Sequence, residues 1–412
     1  MIIAVVGSGG KTTLIKKYKE EYLSQGLKVL VMTSTHMAAE EDTLLTDDAD
    51  EIIRVLEEKH YAMAGHRENG KFSALSQETY QKVCTHADVV LIEADGSNRK
   101  PVKFPAYYEP VIYENVDRIV VVCGLHALNR RLADVSHRPE LVKRALCEES
   151  NGADMIDDDT IINAVHIQTL VRRGYTEPLK AKYPDKEILI EPSHNGGFYQ
   201  SCVAELIRRD IDVPPPKKTG CVIMASGLSR RFGSNKLLAE FCGRTLIQTV
   251  LDVTGGELFA KRVVVTRSRE VKELCEAQGV DVIFHQLPGR NDAVRLGTER
   301  MTDMDGLLFC PCDQPLLTRE SLQELTGAFS IDEEKIYRLS CGEKVGAPVL
   351  FGRKYFAELR RLPVKRGGSY LAEQYADRVQ QIEARDRMEI YDVDTPEELA
   401  YAEDAAEKRL EK

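Results

Sequence analysis

Between Asp212 and Gly220 the chain reads DVPPPKKTG, and this run constrains the fold more than any other stretch. Three successive prolines lack the N–H that a helix or a central strand needs, so no regular element passes through them. The run reads as a linker, which predicts a first domain over 1–212, a connection over 213–219 and a second domain over 220–412. A chain of 412 residues also exceeds what one hydrophobic core usually supports. Each half opens alike, with an apolar strand, a glycine loop and a helical pattern. The likeness is one of plan, since no residue-level repeat links the halves.

Short runs rich in β-branched residues, MIIAVVG, KVLVMTST, ADVVLIEADG and DRIVVVCG, alternate in the first half with helical patterns. One such pattern is Leu14, Ile15, Tyr18, Tyr22 and Leu23. In the second half GCVIMAS, KRVVVT, GVDVIFH, GLLFCPCD and EIYDVDT repeat the scheme. Strands alternating with helices imply parallel pairing through helical crossovers. The expected class is therefore α/β, with two doubly wound, mainly parallel sheet domains. Ligands of such sheets bind beyond the carboxyl ends of the strands, where the glycine loops lie.

The formal net charge of −10 argues against general nucleic-acid binding, which needs a basic face. No apolar run approaches the twenty or so residues of a membrane span. The opening MIIAVVG reads as a first strand and not as a signal peptide, so the expected location is cytoplasmic. Ten cysteines without a CxxC pair fit reduced thiols and support neither a disulfide framework nor a zinc site. Cys310 and Cys312 read as small residues closing a buried strand.

Three features of the second half point to phosphate chemistry. In SGLSRRFGSNK, Gly227 and Gly233 let backbone N–H groups turn toward an anion, while Arg230 or Arg231 and Lys236 offset the charge of a triphosphate. In LLFCPCDQPLL, Asp313 ends an apolar run, a suitable place for a carboxylate holding Mg²⁺, although an Asp before a Pro also forms plain turns. In EIYDVDTPEEL, Thr395, Pro396 and Glu398 make a helix start. That start leaves Asp392 and Asp394 unexplained, and one of them can complete a metal site with Asp313.

In the first half, GSGGKTT follows a strand and precedes a helix, the context a phosphate-binding loop requires. Gly7, Gly9, Gly10 and Thr13 would form the cradle, Lys11 would reach the β- and γ-phosphates, and Thr12 would ligate Mg²⁺. Val5 stands where the longer form of the motif has a glycine; the shorter spacing is similar to that of Mur-type ligases. Glu93 and Asp95 end another apolar run, where carboxylates act through Mg²⁺ or its water. His36 in TSTHM can reach the same face or be an ordinary strand-terminal histidine. SHRPE, with His137 and Arg138, offers an anion contact or a solvated loop.

The half from Gly220 onward resembles the molybdenum cofactor cytidylyltransferases, within the fold they share with the guanylyltransferases. The resemblance rests on Met224, Ala225, Ser226, Gly227, Ser229, Arg231, Gly233 and Lys236, then CDQP, GAPVLF and DVDTPEEL in order. Ser226 and Met224 depart from the usual signature, and LPGRNDAVRLG matches the base-binding turn only loosely. The resemblance implies a Rossmann-like nucleotidyltransferase that moves a cytidylyl group from CTP to a molybdopterin-type cofactor and releases pyrophosphate. Asp313 and Asp394 would hold Mg²⁺, and Lys236 and Arg231 would stabilise the departing pyrophosphate. Residues 1–210 resemble the accessory proteins of selenium-dependent molybdenum hydroxylases, through GSGGKTT, STHM, EADGSNRKPVKFPAYYEPVI and SHRPE. That resemblance implies a P-loop NTPase-like domain using ATP or another NTP, with an apo-hydroxylase as partner. GTP in place of CTP, a phospho-metabolite acceptor, and a non-catalytic cofactor-insertion chaperone are the competing readings.

Overall fold

The computed structural model describes residues 1–68, 71–149 and 155–410. By its internal contacts the chain divides into two compact units, Met1–Gly196 with Val203–Val213, and Gly197–Cys202 with Pro214–Lys412. Residues 213–218 carry no regular element, in keeping with the three prolines among them.

The first unit is built on six strands: β1 (Ile2–Gly7), β2 (Val29–Thr33), β3 (Tyr61–Met63), β4 (Val89–Glu93), β5 (Arg118–Gly124) and β6 (Glu187–Ser193). Their order across the sheet is β6-β5-β1-β4-β2-β3, and every pairing is parallel. Strands buried on both faces read as unbroken apolar runs, and β2 and β4 are buried at every position. The two edge strands, β3 and β6, lack such a run, which is why the sequence did not announce them. From β1 the chain passes to one side, returns to β4 beside β1, and then builds β5 and β6 on the other side. The carboxyl end of β1 therefore faces a crevice where the winding reverses. The helix α1 (Lys11–Ser24) leaves from that point and buries Ile15 against the sheet.

The main sheet of the second unit is built on seven strands: β7 (Thr219–Ala225), β8 (Lys261–Thr266), β9 (Asp281–Phe284), β10 (Gly306–Pro311), β11 (Ile336–Cys341), β12 (Lys344–Gly352) and β13 (Val379–Glu383). Their order is β9-β8-β7-β10-β12-β11-β13. The first four are mutually parallel, β12 runs antiparallel to β10 and β11, and β13 returns parallel to β11. Alternate residues of β7 enter opposite cores: Cys221, Ile223 and Ala225 one, Val222 the other. Both faces of the sheet are thus covered, as period-two side-chain alternation requires.

One expected strand is absent. EIYDVDT forms a 3₁₀ turn at Arg387–Ile390 followed by irregular backbone. The Val393 N–H donates to the Asp313 carbonyl at 2.8 Å, two residues past the end of β10, and the Ile390 carbonyl accepts from Lys344 Nζ, at the start of β12, at 3.1 Å. Thr395 does start the final helix, α2 (Pro396–Leu410): its Oγ1 accepts from the Glu398 N–H, and Glu398 accepts from the Thr395 and Asp394 N–H groups. No helix among the described residues is long and apolar enough to cross a membrane.

Candidate functional site

The glycine loop of the first unit requires its glycines. Gly7 holds φ 95°, and a Cβ on it would lie 2.1 Å from the Val122 carbonyl oxygen on the neighbouring strand. The loop hands over to α1, whose opening N–H groups have no carbonyl one turn earlier to accept them. Lys11 folds back over the loop. Its Nζ donates to the Gly7 carbonyl at 2.7 Å and lies 3.0 Å from Asp95 Oδ1.

Asp95 does not serve the open site as expected. It is completely buried, and its Oδ2 accepts from the Gly7 N–H, Lys103 Nζ and the Tyr175 hydroxyl at 3.1, 3.0 and 2.8 Å. Oδ2 is taken up by three donors, while Oδ1 is buried and ion-paired with Lys11 without a hydrogen bond, so the carboxylate acts as an internal strut. Burial works to raise its pKa, but the charges of Lys11 and Lys103 outweigh that and hold it below the usual carboxyl range.

Glu93 does face the site. It lines a pocket of about 1630 Å³ together with Gly9, Gly10, Lys11, Thr12 and Thr13. Thr12 Oγ1 stands 3.5 Å from Glu93 Oε2, so a hydroxyl and a carboxylate meet at the loop. These are hard oxygen donors of the kind Mg²⁺ prefers. Burial, the leading influence, raises the Glu93 pKa above its ordinary value. His36, His137 and Arg138 also line this pocket, with His36 Nε2 3.0 Å from Glu68.

In the second unit three distant segments converge on one ammonium group. Lys236 Nζ donates to Asp313 Oδ2 at 2.9 Å, Asp394 Oδ1 at 2.8 Å and the Val393 carbonyl at 2.8 Å. The two carboxylate oxygens are therefore no more than about 5.7 Å apart, the sum of their distances to Nζ. Burial opposes the charge on Lys236, yet the two aspartates overcome it and keep the pKa above the usual lysine value. Arg231, largely exposed, reaches Asp394 Oδ2 at 3.0 Å. Asp392 stands behind them, its Oδ1 accepting from Gln314 Nε2 at 2.9 Å, and burial followed by the Asp313 charge raises its pKa.

The glycine-loop residues of this unit divide by role. Ala225 is buried and Met224 packs partly buried on the core, so their side chains face away from a ligand. The Ser226 hydroxyl is also turned inward. Leu287 N–H donates to His285 Nδ1, which leaves Nε2–H to donate to Ser226 Oγ at 2.8 Å, and Ser226 in turn donates to the Val265 carbonyl at 2.9 Å. Any nucleotide contact from these three falls to their backbone. Ser229, at φ 49°, accepts from the Lys236 N–H at 3.2 Å and so shapes the loop. Gly233 holds φ 79°, whereas Gly227 has neither a positive φ nor any atom within 4 Å of where a Cβ would sit. The fold does not require a glycine at 227.

Lys103, Glu109 and Tyr175 were not singled out from the sequence. The first two lie inside KPVKFPAYYEP, where a lysine and a glutamate without a partner in register carry no signal. Tyr175 reaches Asp95 from a π-helical turn, Arg172–Thr176, which has no sequence signature.

Residues 3–140 match the family model for the YqeC protein, and residues 221–379 match that for the MobA-like NTP transferase domain. The chain is 29% identical over 140 residues to YqeC of Escherichia coli K12, covering 32% of this chain and 55% of that one. It is 26% identical over 133 residues to a probable molybdenum cofactor guanylyltransferase of Bacillus cytotoxicus, covering 31% of this chain and 65% of that one. The chain thus spans between half and two thirds of the length of these relatives. Among solved structures it is similar to Rv0371c of Mycobacterium tuberculosis H37Rv, at 24% identity and a TM-score of 0.41, over 46% of this chain and 98% of that one. Over residues 221–379 the second unit is similar to MobA-like NTP transferase domains, and these matches support a nucleotidyltransferase. Over residues 3–140 the first unit is similar to the YqeC protein family.

Proposed function

We propose that the second unit transfers a cytidylyl group from CTP to a molybdopterin-type cofactor. The observation that carries the reading is the convergence of Lys236, Asp313 and Asp394, backed by the MobA-like match. A terminal phosphate oxygen of the acceptor attacks the α-phosphorus of CTP, and the bond from that phosphorus to the β-bridging oxygen breaks. Pyrophosphate leaves with the electron pair.

Asp313, Asp394 and the Val393 carbonyl form a set of hard oxygen donors that fits Mg²⁺, and the ion would supply charge neutralisation at the α-phosphate. Lys236, displaced from the aspartates toward the triphosphate, neutralises the leaving pyrophosphate together with Arg231. Positioning and charge complementarity account for the acceleration, since the protein makes no covalent bond.

The first unit, in this reading, binds ATP or another NTP at Gly7–Thr13 with Thr12 and Glu93 as Mg²⁺ ligands. It assists maturation of a molybdenum hydroxylase, selenium-dependent in the family it resembles. The supporting observations are the enforced glycine loop, Lys11 poised above it and the pocket that opens from it.

The decisive experiment measures pyrophosphate release from the full chain with molybdopterin and one nucleotide at a time. Release with CTP that is lost in Asp313→Asn supports the reading. Release with GTP alone replaces the base, a live comparison because the matched relatives are named guanylyltransferases. No release with either nucleotide leaves a non-catalytic insertion role as the surviving account.

A further inference from the structure

The pocket of the first unit is larger than one nucleotide needs. Its volume of about 1630 Å³ compares with roughly 300–1,000 Å³ for a small-ligand cleft. The glycine loop and Glu93 form one part of its wall. Another part comprises Asn98, Arg99, Tyr108, His137 and Arg138, and the nucleotide reading has no use for it.

Two observations give this second wall a chemical character. Asn98, Arg99 and Arg138 all hold left-handed backbone, at φ 48°, 58° and 56°. A residue with a Cβ keeps that conformation only where its surroundings enforce it, and such positions gather at ligand sites.

Arg138 also terminates a buried ladder of charges that begins at the glycine loop. Lys11 lies 3.0 Å from Asp95, Asp95 3.0 Å from Lys103, Lys103 3.1 Å from Glu109, and Glu109 2.8 Å from Arg138. Three cations along it face two carboxylates, and Glu93, the remaining acid near Lys11, stands on the Thr12 side of the loop. Arg138 spends one N–H on Glu109 and one on the Tyr108 hydroxyl, which leaves three of its five donors. Arg99 is exposed and forms no ion pair among the described residues. Burial, and then the charge of Arg138 beside it, lowers the His137 pKa below its ordinary value.

We propose that this wall is a second anion subsite, which takes the phosphate-monoester group of another substrate while a nucleotide occupies the glycine loop. Arg138 and Arg99 are its ligands, because a guanidinium fork matches phosphate oxygens in pairs. The first unit is then a two-substrate site and not a simple nucleotide switch. The inference rests on the nucleotide reading of the glycine loop, and the test keeps the two apart.

Calorimetric titration of the full chain uses two probes: the Mg²⁺ complex of β,γ-imido-ATP, then inorganic phosphate with the analogue saturating. The wild type is expected to bind phosphate in the presence of the analogue. Arg99→Ala should weaken that binding roughly tenfold, the loss of a charge-assisted contact, with the melting temperature unchanged because Arg99 is exposed and has no ion pair among the described residues. Arg138→Lys should weaken it similarly while still pairing with Glu109, and both variants should bind the analogue within twofold of wild type. Equal phosphate affinity in wild type and both variants overturns the proposal, as does phosphate that displaces the analogue one for one or does not bind at millimolar concentration. Lys11→Ala supplies the separate arm. If analogue binding ignores Lys11, the nucleotide reading fails, and arginine dependence of phosphate binding alone then decides the subsite.

Discussion

Lys236 donates to Asp313 at 2.9 Å across 77 positions of sequence, placing an ammonium group among the oxygens that suit a divalent cation. In the proposed reading, lysine and Mg²⁺ would compete for the same carboxylates, and the triphosphate would draw the lysine away.

Replacing Lys236 by methionine should separate these roles. Turnover should fall on the order of a hundredfold or more, as for loss of one charge-stabilising donor. Mn²⁺ should bind more tightly than to wild type without nucleotide, since the competing ammonium is gone. Calorimetry with Mn²⁺ alone checks this; unchanged or weaker binding would remove Asp313 and Asp394 from the metal assignment.

Two glycine-to-alanine changes should behave oppositely. Gly7→Ala places a methyl group 2.1 Å from the Val122 oxygen at φ 95°, so a loss of about 2–4 kcal/mol is expected, read as a lower melting temperature. Gly227→Ala meets no atom within 4 Å, so its melting temperature should match wild type. If a nucleotide approaches the backbone there, affinity for CTP should nevertheless drop, and titration of the folded variant decides it.

Asp95→Asn should be among the most destabilising changes in the first unit. It leaves Lys11 without its ion-pair partner and Lys103 with Glu109 alone, at a cost of about 3–5 kcal/mol. Chemical denaturation at neutral pH measures it. The carboxyl's lowered pKa means its contribution is present above the ordinary value of 3.8 and disappears as pH falls through the folded value.

Glu93 has the opposite sign. Its raised pKa means that the folded state holds the proton more tightly than the unfolded chain. Its stabilising contribution is complete below the ordinary value of 4.5 and is lost as pH rises through the folded value. Glu93→Gln should therefore melt higher than wild type at neutral pH, with the difference closing below 4.5, while Mg²⁺-nucleotide binding is weakened. A melting series across pH in both proteins tests the sign.

Much of the site was legible because its chemistry is local. GSGGKTT carries a loop, a cation and a hydroxyl within seven residues, and DVDTPEEL carries its own helix cap. Asp95 misled for a non-local reason. It follows Glu93 by two positions at the end of β4, but burial against Lys103 and Tyr175 turned it from ligand to strut. For Met224, Ala225 and Ser226, the motif position did not reveal that the side chains turn to the core, which leaves their backbone as the part that can meet a nucleotide.

Local pattern alone determined the two α/β halves, the interior strands and the glycine loops, because apolar period and backbone permissiveness are properties of neighbours in the chain. Edge strands, the irregular path of Asp392–Asp394, the ladder from Lys11 to Arg138 and the grip of two aspartates on Lys236 were decided only by tertiary structure. Charges far apart in sequence acquire their partners, and hence their ionisation and function, when folding brings them within about 3 Å and excludes the water that would otherwise screen them.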